Sequence, residues 1–172
     1  IQNGGEGVGW GLGMSLIMPH EAPHADKSIL AQSVLLQRIP SVHIAFGTDT
    51  VFNSFDEQDA ERLGKGTFRD YNSTYCEICR MTNIPGVWCN IGSAQLLPEV
   101  FLKASAKAVK SGYNLSEITK ANIDFMKSYR ASRNVLERGP GKQSFELIGH
   151  HEIMIPLLRL AILCEAEKEQ ES

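Results

Sequence analysis

The chain has 172 residues, enough for one domain with a sizeable core, and an ordinary balance of 42% hydrophobic and 22% charged residues. Its net charge of −3, with 17 basic against 20 acidic residues, offers no basic field for nucleic acid and no polybasic stretch for a membrane surface. The longest apolar segments, Ile153–Cys164 and Gly11–Met18, are too short to span a bilayer, and the start lacks the basic region of a signal peptide. The expectation is a soluble, cytoplasmic protein with no nucleic-acid or membrane partner.

The chain opens at Ile1 in a glycine-rich run (Gly4, Gly5, Gly7, Gly9, Gly11, Gly13), so residues 1–23 read as a lead-in, and an N-terminal part of the protein is expected to be missing. Asp26–Arg38 carries Ile29, Leu30, Val34 and Leu35 at helical spacing and is closed by Pro40. Ser41–Phe46, with its β-branched residues and Gly47 as a stop, reads as a strand, and Phe52–Gly66 as an acidic, exposed loop with one helical turn. Thr67 can cap a helix in which Phe68, Tyr71, Tyr75 and Ile78 form one apolar stripe. Cys76-x-x-Cys79 falls in this helix, where small buried hydrophobes are a plainer reading than a redox pair or half a zinc site.

Gly86–Ile91 reads as a second strand, ended by Gly92. The next helix has Pro98 in its first turn, an inner face of Leu97, Phe101, Ala104 and Ala108, and a stop at Gly112. Thr119–Phe125 and Phe145–Ile148 read as third and fourth strands. Ile153–Lys168 is so apolar in its first half that burial is expected, and 165–172 is a charged tail. Strands alternating with helices at short intervals predict one α/β domain over 1–172, built on a parallel sheet with crossover helices.

In such sheets ligands bind beyond the carboxyl ends of the strands. That rule selects Gly47-Thr48-Asp49-Thr50, Gly92-Ser93-Ala94-Gln95, Asp124 onward, and Gly149-His150-His151-Glu152. Gly92-Ser93 can present free amides to a phosphate, or simply turn the chain and cap a helix. Asp49 is placed to hold a ribose hydroxyl or an amine, or to close an Asx turn. Adjacent histidines point apart on a helix, so at most one of His150 and His151 faces a site. Lys142, beside Arg138, offers a catalytic amine or an anion contact; a solvated lysine is the plainer reading. His20, His24, His150 and Asp49 leave open a zinc hydrolase, although Pro19 and Pro23 oppose a helix that would align the first two; no metal site is assigned.

Leu36–Asp49 resembles the stretch of deoxyhypusine synthase in which a strand ends in a Thr-Asp-Gly turn. Gly86–Gly92 is similar to that family's strand before a glycine-rich turn, and Ile148–Leu158, with Pro156-Leu157-Leu158, to its last strand and helix. A bacterial deoxyhypusine-synthase-like branch is similar over His24–Gln32, Gly47–Asp49, Gly92–Ala94, Pro98–Phe101, Ala121–Phe125 and Gly149–Leu158. The resemblance implies a Rossmann-like sheet, incomplete in this chain, and NAD as cofactor, held around Gly47, Thr48, Gly92, Ser93, Asn122 and Glu152. For an amine or polyamine substrate, Asp49 or Asp124 is expected to bind the cation, one of the candidate catalytic residues His150 and His151 to transfer a proton, and Lys142 to form the imine of an aminoalkyl transfer. The resemblance also implies a homo-oligomer, or a partner chain that supplies the missing part. The family's Trp-Gly-Lys segment, which carries its nucleophilic lysine, is matched only by Gly141-Lys142, and its Lys-His after the glycine-rich turn is Leu97-Pro98 here. These departures leave a non-catalytic nucleotide-binding or scaffold subunit as the alternative.

Overall fold

Among the described residues three strands form, all parallel: β1 (Val87–Ile91), β2 (Thr119–Asp124) and β3 (Gln143–Ile148), in the order β1-β2-β3. The computed structural model that shows them describes residues 7–18, 22–50 and 54–171. In register, Asn90 lies opposite Asn122, and Asn122 opposite Glu146. The helix α4 (Leu96–Lys110) links β1 to β2, and a π-helix (Ala131–Glu137) lies between β2 and β3. The protein is thus an α/β protein with a small open parallel sheet. The chain forms two compact units, Ile1–Arg80 and Met81–Ser172, and the sheet lies wholly in the second.

In the second unit, one sheet face carries Trp88 and Asn90 of β1 and Lys120, Asn122 and Asp124 of β2. Trp88 stacks on Phe101 of α4, with ring centroids 4.5 Å apart. Phe101, Ala104 and Ala108 are fully buried, so the apolar face foreseen for this helix is the one it packs. Leu97 is 41% exposed and stands apart from that face. Ile118, Ile123 and Val135 complete the core.

The first unit holds α1 (Val8–Ile17), α2 (Ile29–Leu35) and α3 (Glu57–Arg80). A helix inside the glycine-rich lead-in was not foreseen, and packing explains it. A Cβ at Gly9 would stand 2.2 Å from the Pro40 carbonyl oxygen, and one at Gly13 would stand 2.5 Å from a Val34 methyl. Two glycines four residues apart share a helix face, so their bare backbone lets α1 lie directly on its neighbours. Ser28 caps α2, its Oγ accepting from Ala31 N at 3.3 Å.

Several expectations are corrected here. Ser41–Phe46 forms no strand. The amide of Val42 donates instead to the buried Asp70 carboxylate at 3.0 Å, and the described part of this unit holds no strand. The stretch expected as a loop becomes helix from Glu57 onward: Asp56 Oδ1 accepts from Asp59 N at 2.9 Å, Glu57 and Asp59 face the positive helix end, and Glu61 pairs with Lys65. Thr67 therefore lies inside α3 rather than at its start. Of the apolar stripe Ile78 is fully buried while Phe68 is 64% exposed. Cys76 is exposed rather than a small core hydrophobe.

The closing helix α5 (His151–Glu171) exists but is not buried. Ile153, Leu157, Leu160 and Ile162 are each more than half exposed, because only the start of the helix reaches β2. No helix among the described residues is long and apolar enough to cross a membrane.

Candidate functional site at the strand ends

The carboxyl ends of the three strands are drawn together by continuations of the ladder. Gly92 N donates to Ile123 O at 3.0 Å, and Gly149 N donates to Asp124 O at 2.9 Å. Gly92 has φ +64, a conformation that a side chain strains, and it turns the chain from β1 toward α4. The turn is pinned from below: Asn90 Nδ2 donates both to Ser93 O at 2.9 Å and to Asn122 Oδ1 at 2.8 Å. Ser93 Oγ accepts from Leu97 N at 3.3 Å, and Pro98 has no amide to offer.

Asn122 is fully buried, and its Nδ2 has no hydrogen-bond partner among the described residues. It therefore lies beneath the turn rather than on its surface. Asp124, also buried, accepts from Phe125 N through one oxygen at 2.8 Å. His151 opens α5 with its ring half-buried; its Nε2 lies 3.3 Å from Ile123 O and its ring meets Phe125 edge-on, centroids 6.4 Å apart. His150 and Glu152 are exposed, and the His150 carbonyl accepts from Ile153 N and Met154 N to start the helix. Gly92, Ser93, Asp124 and His151 are thus gathered at the strand ends over Asn122.

Lys142 is not among them. It precedes β3, at the amino end of the strand, and its exposed Nζ pairs with Glu117 at 3.1 Å. The six residues of β3 put about 20 Å between that position and the strand's other end.

Gly47, Thr48 and Asp49 belong to the first unit. Gly47 has φ +84, Thr48 Oγ1 donates to Ala45 O at 3.1 Å, and Asp49 Oδ2 accepts from Ala45 N at 2.8 Å, so the carboxylate closes its own turn. Beside it lies a mostly apolar cavity of about 350 Å³, lined by Val8, Leu12, Val42, His43, Asp49 and Phe55 among others. His43 was not singled out from the sequence, where a lone histidine between Val42 and Ile44 gives no signal. Its Nε2 lies 3.1 Å from Thr74 Oγ1, and burial pushes its pKa below the ordinary value, opposed by the Asp70 charge.

Lys120 was missed as well, although a lysine inside a central strand is an anomaly that invites a question. It is buried, donates to Leu136 O at 2.8 Å and Gly139 O at 2.6 Å, and burial lowers its pKa. No group of three or more His, Cys, Asp or Glu among the described residues is arranged to hold a metal ion, and His20 lies outside them. No family model matches the chain, nor does any curated protein or solved structure.

Proposed function

We propose that the protein is a deoxyhypusine-synthase-like, NAD-dependent enzyme with a Rossmann-like sheet, acting on an amine or polyamine. The observation that carries the reading is the strand-end group of Gly92 at φ +64, the start of α4 and the buried Asp124. A glycine turn before a helix start suits a dinucleotide pyrophosphate, and a carboxylate at a neighbouring strand end suits a ribose hydroxyl. The orphaned Nδ2 of Asn122 adds an unused donor below the turn. NAD, when bound, would supply the hydride acceptor.

The amine part of the reading is supported within the first unit taken by itself, by the cavity beside Asp49. Apolar walls with a carboxylate at the edge suit a methylene chain carrying an ammonium group. Held at Gly92, Ser93 and Asp124, NAD would supply the two-electron oxidant for converting an amine to an imine. Transfer of the aminoalkyl group through Lys142 is not part of the proposal, since that lysine stands at the other end of β3, paired with Glu117. The same placement favours a second reading, a nucleotide-binding subunit without catalysis.

Calorimetry with NAD tests the proposal, followed by a screen of polyamines for NADH formation. Saturable NAD binding, lost in Gly92→Val, is expected. NADH formation with a polyamine separates the enzyme from the non-catalytic subunit. Failure of the wild-type chain to bind NAD would remove the cofactor reading.

A further inference from the structure

We infer that His151, and not His150, is the histidine that serves the strand-end site, with its proton fixed on Nε2 and Nδ1 presented as an acceptor for a nitrogen-bound hydrogen of the ligand. The inference takes its site from the nucleotide reading above. His151 opens α5 while His150 precedes it, so the two rings are set by different backbone. The ring of His150 is the exposed one, and its backbone carbonyl is committed to two amides of α5.

The tautomer follows from the partner. Nε2 of His151 lies 3.3 Å from Ile123 O, and a carbonyl oxygen only accepts, so the nitrogen must carry the hydrogen. In the neutral ring the lone pair is then on Nδ1. Ile123 O has two lone pairs, and it takes Gly92 N at 3.0 Å as well. One carbonyl therefore ties the turn after β1 and the start of α5 to the end of β2.

The ring is also held in place sterically. A Cβ at position 92 would lie 3.3 Å from His151 Cε1 and 3.6 Å from its Nε2, and the Phe125 ring stands edge-on at 80°. Gly92 thus serves twice, by its positive φ and by leaving room beside the imidazole that a Cβ would crowd. A side chain that is half-buried, oriented by a backbone carbonyl and flanked by an aromatic edge is built as a fixed acceptor. The ligand class it takes is one with an N–H donor, a carboxamide or an amine.

The test pairs His151→Phe with His150→Gln. Phenylalanine keeps a ring beside Phe125 and removes the Nδ1 acceptor together with the Nε2–H, whereas glutamine would bring an acceptor of its own, Oε1. NAD affinity is expected to fall about tenfold in His151→Phe, the size of one hydrogen bond, and to stay unchanged in His150→Gln. Nitrogen NMR of labelled histidine is expected to show the Nε2–H form for His151 and a solvent-averaged ring for His150. NAD binding that is indifferent to His151→Phe, or an Nδ1–H form of His151, overturns the inference and leaves the cofactor reading standing. A wild-type chain that binds spermidine but no NAD, with the same dependence on His151, overturns the cofactor reading alone. Binding of neither overturns both.

Discussion

Asp70 joins three stretches of the first unit through a single carboxylate oxygen, which accepts from Gly9 N at 2.9 Å and Val42 N at 3.0 Å while the residue itself sits in α3. The nearby His43 makes this unit sensitive to acid. Burial holds its folded pKa below the ordinary 6.5, and the Asp70 charge offsets only part of that shift. The unfolded chain therefore takes up the proton first, and the sign is fixed: stability is intact above pH 6.5 and declines as pH falls from there through the lowered folded value. Urea midpoints measured across this window are expected to fall toward acid, and His43→Asn is expected to flatten that slope. A slope unchanged in the variant would assign the effect to other groups.

Among the elements, the π-helix Ala131–Glu137 has its carboxyl end finished by a side chain from elsewhere. A helix end leaves carbonyls without partners, and Lys120 reaches across from β2 to take those of Leu136 and Gly139. The lysine is 3% exposed, so its charge is compensated by these carbonyls and by no neighbouring carboxylate that bonds to it. Lys120→Met keeps the apolar stem and leaves Gly139 O without this donor. A loss of about 1–3 kcal/mol is expected, read from the urea midpoint, and a neutral result would mean that water takes over the carbonyl. The Asn90–Asn122 pair plays a similar part on the next rung, where it sets the Gly92–Ser93 turn from inside the sheet.

At the scale of the whole molecule, the sheet is covered unevenly. Parallel sheets are ordinarily buried on both faces. Here α4 packs on one face through Trp88 and Phe101, and Val87 and Phe145 on the opposite face are 60% and 47% exposed. Helix α5 adds Leu160 and Ile162 to the uncovered apolar surface. A helix that is apolar around its circumference is normally buried, so the homo-oligomer implied by the resemblance has a physical motive. Light scattering is expected to give a mass above the 19.0 kDa of one chain, and Leu160→Glu is expected to lower it. A monomer in both cases would remove self-association and favour a different covering partner.

What the sequence determined by itself is the part governed by neighbours along the chain. The stretches Gly86–Ile91, stopped by Gly92, and Thr119–Phe125, with the 3.6-residue period from Phe101 to Ala108, encode strand and helix locally, and β1 and β2 stand within one residue of those bounds. The rule that ligands gather at strand ends likewise pointed to Gly92, Asp124 and the Gly149–Glu152 turn, which the fold brings together. Only tertiary structure decided the rest. Ser41–Phe46 has strand composition but no strand is described in its unit, while Val8–Ile17 is a helix because Gly9 and Gly13 allow close backbone contact. Lys142 and His151 look equally chemical in the sequence, yet one precedes β3 and the other follows it, and the length of that strand separates them. Hydrogen-bond partners and burial are set by residues far away in the chain, so no local pattern carries them.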